Sequence, residues 1–285
     1  MLTKRLSELI ASLPQKAHLP AADPLVNGIT LDSRKIQPGF LFVACPGLST
    51  DGHRFIPDAI QRGASAVVGS QSISGLAVPY IQVTDSRQAL AYLAAGLHGF
   101  PARQMTMLGI TGTDGKTTTS NLIFQILQAA GLRAGMISTV NAVIGDEILD
   151  TGFHVTTPDA PDIQSYLGKM VAAGLTHAVI ETTSHGLEQD RVAACDFDIG
   201  IVTNITHEHI NDHGSLEAYR AAKARLFTSL EHTSDKSFHP PHAAVLNADD
   251  PHVYAMRTRT RARVLTYGES AEAVVRAENV RCDWP

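Results

Sequence analysis

The 285-residue sequence has few cysteines, no long apolar run and no excess of positive charge. Its three cysteines, Cys45, Cys195 and Cys282, lie far apart and form no CxxC pair. This argues against a disulfide scaffold or a zinc ribbon and is typical of a reducing compartment. No segment approaches the ~20 apolar residues that cross a bilayer, and the start, MLTKRLSELIASLP, is too short and too acidic for a signal peptide. We therefore expect a cytoplasmic protein that has no membrane partner.

The balance of charges excludes another class of partner. With 23 Lys and Arg against 28 Asp and Glu, the formal net charge is −5, so no basic surface predicts binding to nucleic acid. The hydrophobic fraction of 44% and the charged fraction of 18% are those of a globular protein and not of a disordered chain. At ~150 residues per domain, the length predicts two domains.

The first hundred residues alternate short apolar runs with turn residues, a pattern that predicts a small α/β domain over residues 1–102. A short helix is expected over 55–63, ending at Gly63, and Ser86 is a candidate cap for a second helix that ends before Pro101. The predicted strands cover 29–31, 40–44, 65–70 and 80–83.

From residue 105 the sequence changes to longer strand–helix units. Apolar runs that alternate with helices predict a parallel sheet covered on both faces, in a second domain over residues 103–285. The polar segment 234–242 is expected to be a surface loop. The predicted strands cover 107–110, 134–139, 177–182, 198–205, 243–248 and 263–268, and the main helices cover 117–131, 161–174 and 215–230.

The strongest motif is the glycine-rich segment GITGTDGKTTT at residues 109–119. A strand enters it and a helix leaves it, so successive backbone N–H groups can surround a phosphate at the N-terminus of the helix. Lys116 would reach the outer phosphates and the Thr117 hydroxyl would bind Mg²⁺. The alternative is a glycine-rich turn with an incidental lysine. The expected ATP-binding residues are Gly112, Thr113, Asp114, Gly115, Lys116, Thr117 and Thr118.

The segment TGTDGKTTT resembles the ATP loop of the Mur ligases, with Asp114 in place of the usual Asn or Lys. Further segments resemble the same family in the same order and together cover nearly the whole chain. They are LDSRKIQPGFLFVACPG at 31–47, DGHRFIPDAIQRGA at 51–64, VTDSRQALAYLA at 83–94, TTPDA at 156–160, ETTSHGLEQDRV at 181–192, TNITHEHINDHG at 203–214, YRAAKARLF at 219–227 and NADDP at 247–251.

The resemblance implies a fold and an activity. The domain over 1–102 would bind the uridine end of a UDP-sugar, and the domain over 103–285 would be the P-loop ATP-binding domain, incomplete and without the family's C-terminal domain. The implied reaction is an ATP- and Mg²⁺-dependent amide ligation in peptidoglycan synthesis, which adds the third amino acid to UDP-MurNAc-L-Ala-D-Glu through an acyl phosphate. Because a domain that closes over ATP would be missing, we expect this chain alone to bind ligands better than it catalyses.

The resemblance also implies two metal positions. Glu181 follows a strand, at the edge where open α/β sheets bind ligands, and would hold Mg²⁺ with Thr117. His209 would help bind a second Mg²⁺, although Glu208 and Asn211 replace the acids of the family motif. The alternatives for the HxHxxxH pattern of His207, His209 and His213 are a zinc site or solvated histidines.

Lys223 is predicted to lie on the apolar stripe of the helix over 215–230. A lysine in that position must snorkel to solvent, form an ion pair or lose its charge. The resemblance implies that this lysine is carbamylated and supports the second Mg²⁺. The alternative is an ordinary snorkelling or paired lysine.

The expected acceptor-binding residues are also identified by resemblance. Ser33 would contact uridine, whereas the second DSR sequence, at 85–87, is interpreted as a helix cap. The remaining candidates are Thr156, Thr157, Thr183, Gln189 and Arg191 for the sugar-peptide and Asn247 near the adenine, and each could instead be a structural polar residue.

Two other functions remain open at this point. One is a different amide ligase of the same superfamily, similar to folylpolyglutamate synthetase, although the uridine-type segment argues against it. The other is a catalytically inactive protein that binds nucleotides and UDP-sugars. The sequence does not determine which amino acid would be added.

Overall fold

The computed structural model describes residues 2–47, 50–150, 157–206 and 213–281. The contacts divide the chain into two compact units. The first comprises Met1–Pro101, Asp159–Gly168 and Gln189–Ala194, and the second comprises Ala102–Pro158, Lys169–Glu188 and Cys195–Pro285. Several residues singled out above fall outside the described residues, namely Thr156, His207, Glu208, His209, Asn211 and Cys282.

The first unit contains a four-stranded parallel sheet in the order β3-β4-β5-β6 and an antiparallel pair, β1-β2. Strand β4 is buried almost throughout because its run FLFVA is apolar on both faces. The strands are β1 (Lys4–Arg5), β2 (Leu25–Val26), β3 (Gly28–Thr30), β4 (Phe40–Ala44), β5 (Ala66–Gly69) and β6 (Tyr80–Gln82). The α-helices are α1 (Leu6–Ile10), α2 (Ile56–Gln61) and α3 (Ser86–Leu97), and 3-10 turns cover Ser33–Lys35 and Gly52–Phe55.

The cap of α3 differs by one residue from the expectation. Asp85, and not Ser86, is the N-cap, and its carboxylate accepts hydrogen bonds from the backbone N–H groups of Arg87 and Gln88 at 2.9 and 3.1 Å. A carboxylate also interacts favourably with the positive end of the helix dipole. The interpretation of the second DSR sequence as a helix cap is therefore correct, but its capping group is the aspartate.

The second unit contains a nine-stranded sheet in the order β10-β9-β8-β11-β7-β12-β13-β14-β15. All neighbours are parallel except in the hairpin that β9 and β10 add beside β8. The strands are β7 (Thr106–Thr111), β8 (Ala134–Ile137), β9 (Asn141–Ile144), β10 (Glu147–Asp150), β11 (His177–Glu181), β12 (Ile199–Val202), β13 (Ala243–Asn247), β14 (Arg263–Gly268) and β15 (Val275–Arg276). The α-helices are α4 (Lys116–Ala129), α5 (Ala160–Ala172), α6 (Ser184–Glu188), α7 (Leu216–Leu230) and α8 (Pro251–Tyr254), and α5 begins within the first unit.

The α/β fold with mostly parallel sheets is confirmed. All six residues of β7 are buried, and β7 lies between β11 and β12, so the strand that leads to the phosphate loop is at the centre of the sheet. Its apolar residues pack with those of α4 and the neighbouring strands, among them Leu108, Ile110 and Phe124. Within the described residues, no helix is both long enough and apolar enough to cross a membrane.

The expectation for the segment 234–242 is wrong at one residue. Lys236 is buried, and its ammonium group forms an ion pair with Asp198 at 2.6 Å. The same nitrogen donates to the backbone carbonyls of Met105 and Asp196, both at 2.9 Å. The charge of Lys236 can be buried because it is neutralised by Asp198 and hydrogen-bonded inside the second unit.

Candidate nucleotide and metal site

The phosphate loop lies between β7 and α4, at the carboxyl end of the central strand. Gly112 has φ +155 and Gly115 has φ +76, and both values favour glycine. Gly115 is the N-cap of α4, so the helix begins at Lys116. The strand–loop–helix arrangement expected from the sequence is present.

The loop offers a defined set of N–H groups to an anion. The N–H groups of Thr113 and Asp114 donate to the backbone carbonyl and the side-chain oxygen of Asn204, at 2.9 and 2.8 Å. The next groups, from Gly115 through the first turn of α4, have no acceptor within the helix by its geometry. An anion placed there also meets the positive end of the helix dipole.

Lys116 is folded over the loop. Its ammonium group donates to the carbonyl of Thr113 at 2.7 Å, which places a positive charge beside the N–H groups that begin α4. A lysine in this position supplies a positive charge that partly neutralises the negative charge of a chain of two or three phosphates.

Thr117 and Glu181 form a cluster of oxygen donors. The Thr117 hydroxyl lies 3.0 Å from both carboxylate oxygens of Glu181, which ends β11 and is buried. Thr139 also donates to this carboxylate, from its hydroxyl at 3.0 Å and its backbone N–H at 3.2 Å. A hydroxyl and a carboxylate are the hard donors that Mg²⁺ prefers, so the residues present fit a magnesium ion. The structure brings together the two residues that the resemblance paired.

Lys223 is buried within α7, as its place on the apolar stripe predicts. Its ammonium group donates to the carbonyl of Gly112 at 2.6 Å and lies 4.4 Å from the centre of the Tyr219 ring. The pKa of Lys223 is lowered to about 7, chiefly by burial and also by the nearby charge of Lys116, while Asp114 opposes the shift. Of the three outcomes considered above, partial loss of charge is the one that the structure favours.

We expect the depressed pKa of Lys223 to appear as a pH dependence of stability. The unfolded lysine keeps its proton up to its ordinary pKa of 10.5, whereas the folded one loses it near 7, so raising the pH favours folding in this interval. Between pH 7 and 9, the free energy of unfolding should rise by about 2 kcal/mol more in the wild type than in Lys223→Met. Urea unfolding followed by circular dichroism measures this difference, and parallel pH curves would contradict the prediction.

A polar cluster that contacts the Tyr219 ring, on which Lys223 also lies, was not foreseen. His213 Nε2 lies 2.9 Å from the Ser184 hydroxyl, and its other ring nitrogen lies 3.3 Å from the carboxylate of Glu188. The ring also packs against His185 and Tyr219. Ser, His and Glu are the residue types of a nucleophilic triad, but Ser184 and the His213 side chain are buried, whereas Glu188 is exposed. The contacts link α6 to the residues just before α7.

Two of the expected acceptor-binding residues lie side by side in the second unit. The hydroxyls of Thr157 and Thr183 are 3.1 Å apart, and Thr157 also accepts the N–H of Thr183 at 2.9 Å. Thr183 in turn accepts the N–H of Gly186 within α6 at 3.0 Å. Asn247 is held by bonds to Thr203 and Asp249, which fix the end of β13.

In the first unit, Ser33 lies at the wall of a cavity of about 870 Å³. Its hydroxyl donates to Asp58, and this bond, with a second from Arg62, lowers the pKa of the Asp58 carboxyl. Phe40 and Phe55 contribute apolar wall and Lys35 a positive charge. A cavity with an apolar wall and a few fixed polar groups is typical of small-molecule sites.

Gln189 and Arg191 also belong to the first unit, where they contact each other. The guanidinium of Arg191 donates twice to the Gln189 side-chain oxygen, at 2.9 and 3.1 Å, and lies 3.4 Å from Asp159. Arg87, which the sequence analysis assigned only to a helix, donates to the same Gln189 oxygen at 3.4 Å. The two arginines form a cationic pair around one amide, and no motif in the sequence indicated that Arg87 belongs with them.

Comparisons with known proteins show what the chain is similar to. Residues 25–98 match the model described as Mur ligase family, catalytic domain, and residues 110–284 match the Mur ligase middle domain. A UDP-N-acetylmuramyl-tripeptide synthetase from Roseiflexus sp. (strain RS-1) is 44% identical over 97% of this chain and 56% of its own length. A UDP-N-acetylmuramoyl-L-alanyl-D-glutamate–2,6-diaminopimelate ligase from Listeria innocua is 39% identical over 97% of this chain and 55% of its own length.

A solved structure of a UDP-N-acetylmuramoyl-L-alanyl-D-glutamate–2,6-diaminopimelate ligase is also similar to this chain. It has a TM-score of 0.77 at 30% identity, over 95% of this chain and 53% of that one. The chain thus spans about half the length of the curated relatives it matches.

Proposed function

Because the chain belongs to the Mur ligase family, we propose that it is the nucleotide- and acceptor-binding part of an ATP-dependent amide ligase of peptidoglycan precursor synthesis. The proposed acceptor is UDP-MurNAc-L-Ala-D-Glu, to which the enzyme adds the third amino acid. The observation that carries the proposal is the phosphate loop with Lys116 above it and the Thr117–Glu181 pair beside it.

In the proposed reaction, the γ-phosphoryl group of ATP passes to the free carboxylate of D-glutamate, which gives ADP and an acyl phosphate. The amine of the incoming amino acid then attacks the acyl carbon and loses a proton, so that a C–N bond forms and the C–O bond to phosphate breaks. The first step needs charge neutralisation and positioning more than a protein nucleophile.

The roles of the residues follow from their positions. The N–H groups that begin α4 and the Lys116 ammonium would bind the β- and γ-phosphates. Thr117 and Glu181 would hold Mg²⁺, which supplies charge neutralisation at the phosphates when bound. We propose a second magnesium position with His209 and with Lys223 in its carbamylated form, since a lysine that is partly neutral near pH 7 can react with CO₂.

For the acceptor, we propose that the first unit binds the UDP end in the cavity beside Ser33. Thr156, Thr157 and Thr183 would contact the sugar-peptide. Arg191, with Gln189, would bind a carboxylate or phosphate because a guanidinium can donate two parallel hydrogen bonds. Asn247 is assigned to the region of the adenine. We propose that the domain over residues 1–102 binds the UDP end and that the domain over residues 103–285 binds ATP.

Titration calorimetry tests the proposal. The chain is expected to bind a non-hydrolysable ATP analogue with Mg²⁺ and, separately, UDP-MurNAc-L-Ala-D-Glu. ADP formation is expected to require the UDP-dipeptide, with 2,6-diaminopimelate and lysine compared as amines. Binding of a pteroate acceptor in place of the UDP-dipeptide would overturn the proposed substrate, and failure to bind the nucleotide would overturn the proposed activity.

A further inference from the structure

The residues that follow β12, Thr203 and Asn204, lie against the rear of the phosphate loop. The Thr203 hydroxyl donates to the carbonyl of Asp114 at 2.7 Å. The Asn204 side chain accepts the N–H of Asp114 at 2.8 Å and donates to its carbonyl at 3.2 Å. The backbone carbonyl of Asn204 accepts the N–H of Thr113 at 2.9 Å. The backbone of Asp114 is therefore bonded at both its N–H and its carbonyl by side chains about ninety positions later in the chain.

Thr203 also sets how closely the loop can approach β12. A Cβ atom added to Gly112 would lie 1.9 Å from the Thr203 hydroxyl oxygen, so the glycine and the threonine are packed against each other. Thr203 is itself buried. The contact fixes the point at which the chain leaves β7 and turns towards α4.

These bonds decide which N–H groups remain for a ligand. Because Thr113 and Asp114 donate to Asn204, their N–H groups point towards β12, and the anion site begins at Gly115. A loop held in this way before the ligand arrives loses less conformational freedom on binding than a loop that must be ordered by the ligand. Neither Thr203 nor the Asn204 side chain needs to touch the nucleotide to have this effect.

We propose that Thr203 and Asn204 are positioning residues that hold the phosphate loop in its nucleotide-accepting conformation. The inference rests on the proposed nucleotide site and adds to it two residues that act through the loop backbone. Substitution of either side chain would leave N–H or carbonyl groups of the loop without their partners, so the loop would populate other conformations. The fraction of molecules whose loop can bind nucleotide would then be lower.

The test compares the affinity for a non-hydrolysable Mg·ATP analogue in four variants. Asn204→Ala should weaken binding about 10- to 30-fold and Thr203→Val about 3- to 10-fold, while Thr203→Ser, which keeps the hydroxyl, should stay within about twofold of the wild type. Arg103→Met removes an ion pair with Asp196 at the opposite end of β7 and serves as the control for general destabilisation. It should lower the melting temperature without changing the affinity.

A second measurement separates this inference from the nucleotide site itself. In the ligand-free chain, hydrogen exchange at the amides of Thr113 and Asp114 should be slow in the wild type and faster in Asn204→Ala. Unchanged exchange, or full nucleotide affinity in Asn204→Ala and Thr203→Val, would overturn the positioning role. Absence of nucleotide binding by the wild type, with slow exchange at both amides, would instead overturn the proposed function. The bonds from Thr203 and Asn204 to the loop would then be a structural feature only, and the inference would fall with the function.

Discussion

Replacing Lys116 with methionine is expected to weaken Mg·ATP binding by at least about a hundredfold while the fold is retained. The methionine keeps most of the length of the side chain and removes only the charge and its hydrogen bonds. In the structure this charge lies 2.7 Å from the Thr113 carbonyl, directly over the loop. The described loop residues include no second lysine that could replace it. Lys223 is bonded to the Gly112 carbonyl and is buried, which prevents it from taking over.

The matched control for this prediction is Lys169→Met. Lys169 lies in the last turn of α5, so its substitution removes the same unit of charge at a position outside the phosphate loop. Calorimetry with a non-hydrolysable analogue should give wild-type affinity for Lys169→Met and no measurable binding for Lys116→Met. Equal affinities in the two variants would mean that the loop does not bind the phosphates, whatever its sequence resembles.

The regular parts of the fold could be predicted from the sequence because their apolar runs are unambiguous. The strands β4 and β14 have the predicted bounds, and the parallel order follows from the helices between the strands. The hairpin of β9 and β10 was missed because its sequence, NAVIGDEILD, contains several acids and lies at the edge of the sheet, where polar residues are tolerated. The cap of α3 was assigned one residue late because both Asp and Ser are common N-caps.

The candidate site could be predicted only where its residues are neighbours in sequence or share a recognisable motif. Lys116 and Thr117 follow from the loop motif, whereas Glu181, the last residue of a buried strand, was assigned to the metal by the family resemblance. Some hydrogen bonds join residues that are 89 to 102 positions apart in the sequence, namely those of Thr203, Asn204 and Arg87. A local sequence pattern cannot predict such pairs. The roles assigned to these residues in binding and catalysis remain predictions.

Lys236 provides the largest expected effect on stability. The Lys236–Asp198 pair is almost fully buried, and Asp198 also accepts the N–H of Met107 at 2.7 Å, so the pair links the segment 234–242 to β7. Burial lowers the pKa of Lys236 and raises the pKa of Asp198, while their ion pair opposes both shifts. Lys236→Met should therefore lower the free energy of unfolding by about 3–5 kcal/mol, because it leaves a carboxylate buried without its counter-ion.

A double-mutant cycle distinguishes the pair from simple loss of packing. If the cost of Lys236→Met comes from the unpaired Asp198 carboxylate, then adding Asp198→Asn should recover part of it, since the amide is neutral and its oxygen can still accept the N–H of Met107. The double variant is thus expected to be more stable than Lys236→Met alone in urea unfolding at pH 7. Lowering the pH should also reduce the cost of Lys236→Met, because a buried carboxyl takes up a proton more readily than an exposed one. A double variant no more stable than Lys236→Met would mean that the lysine contributes through its packed methylene groups and its two bonds to carbonyls, and that its charge is of little consequence.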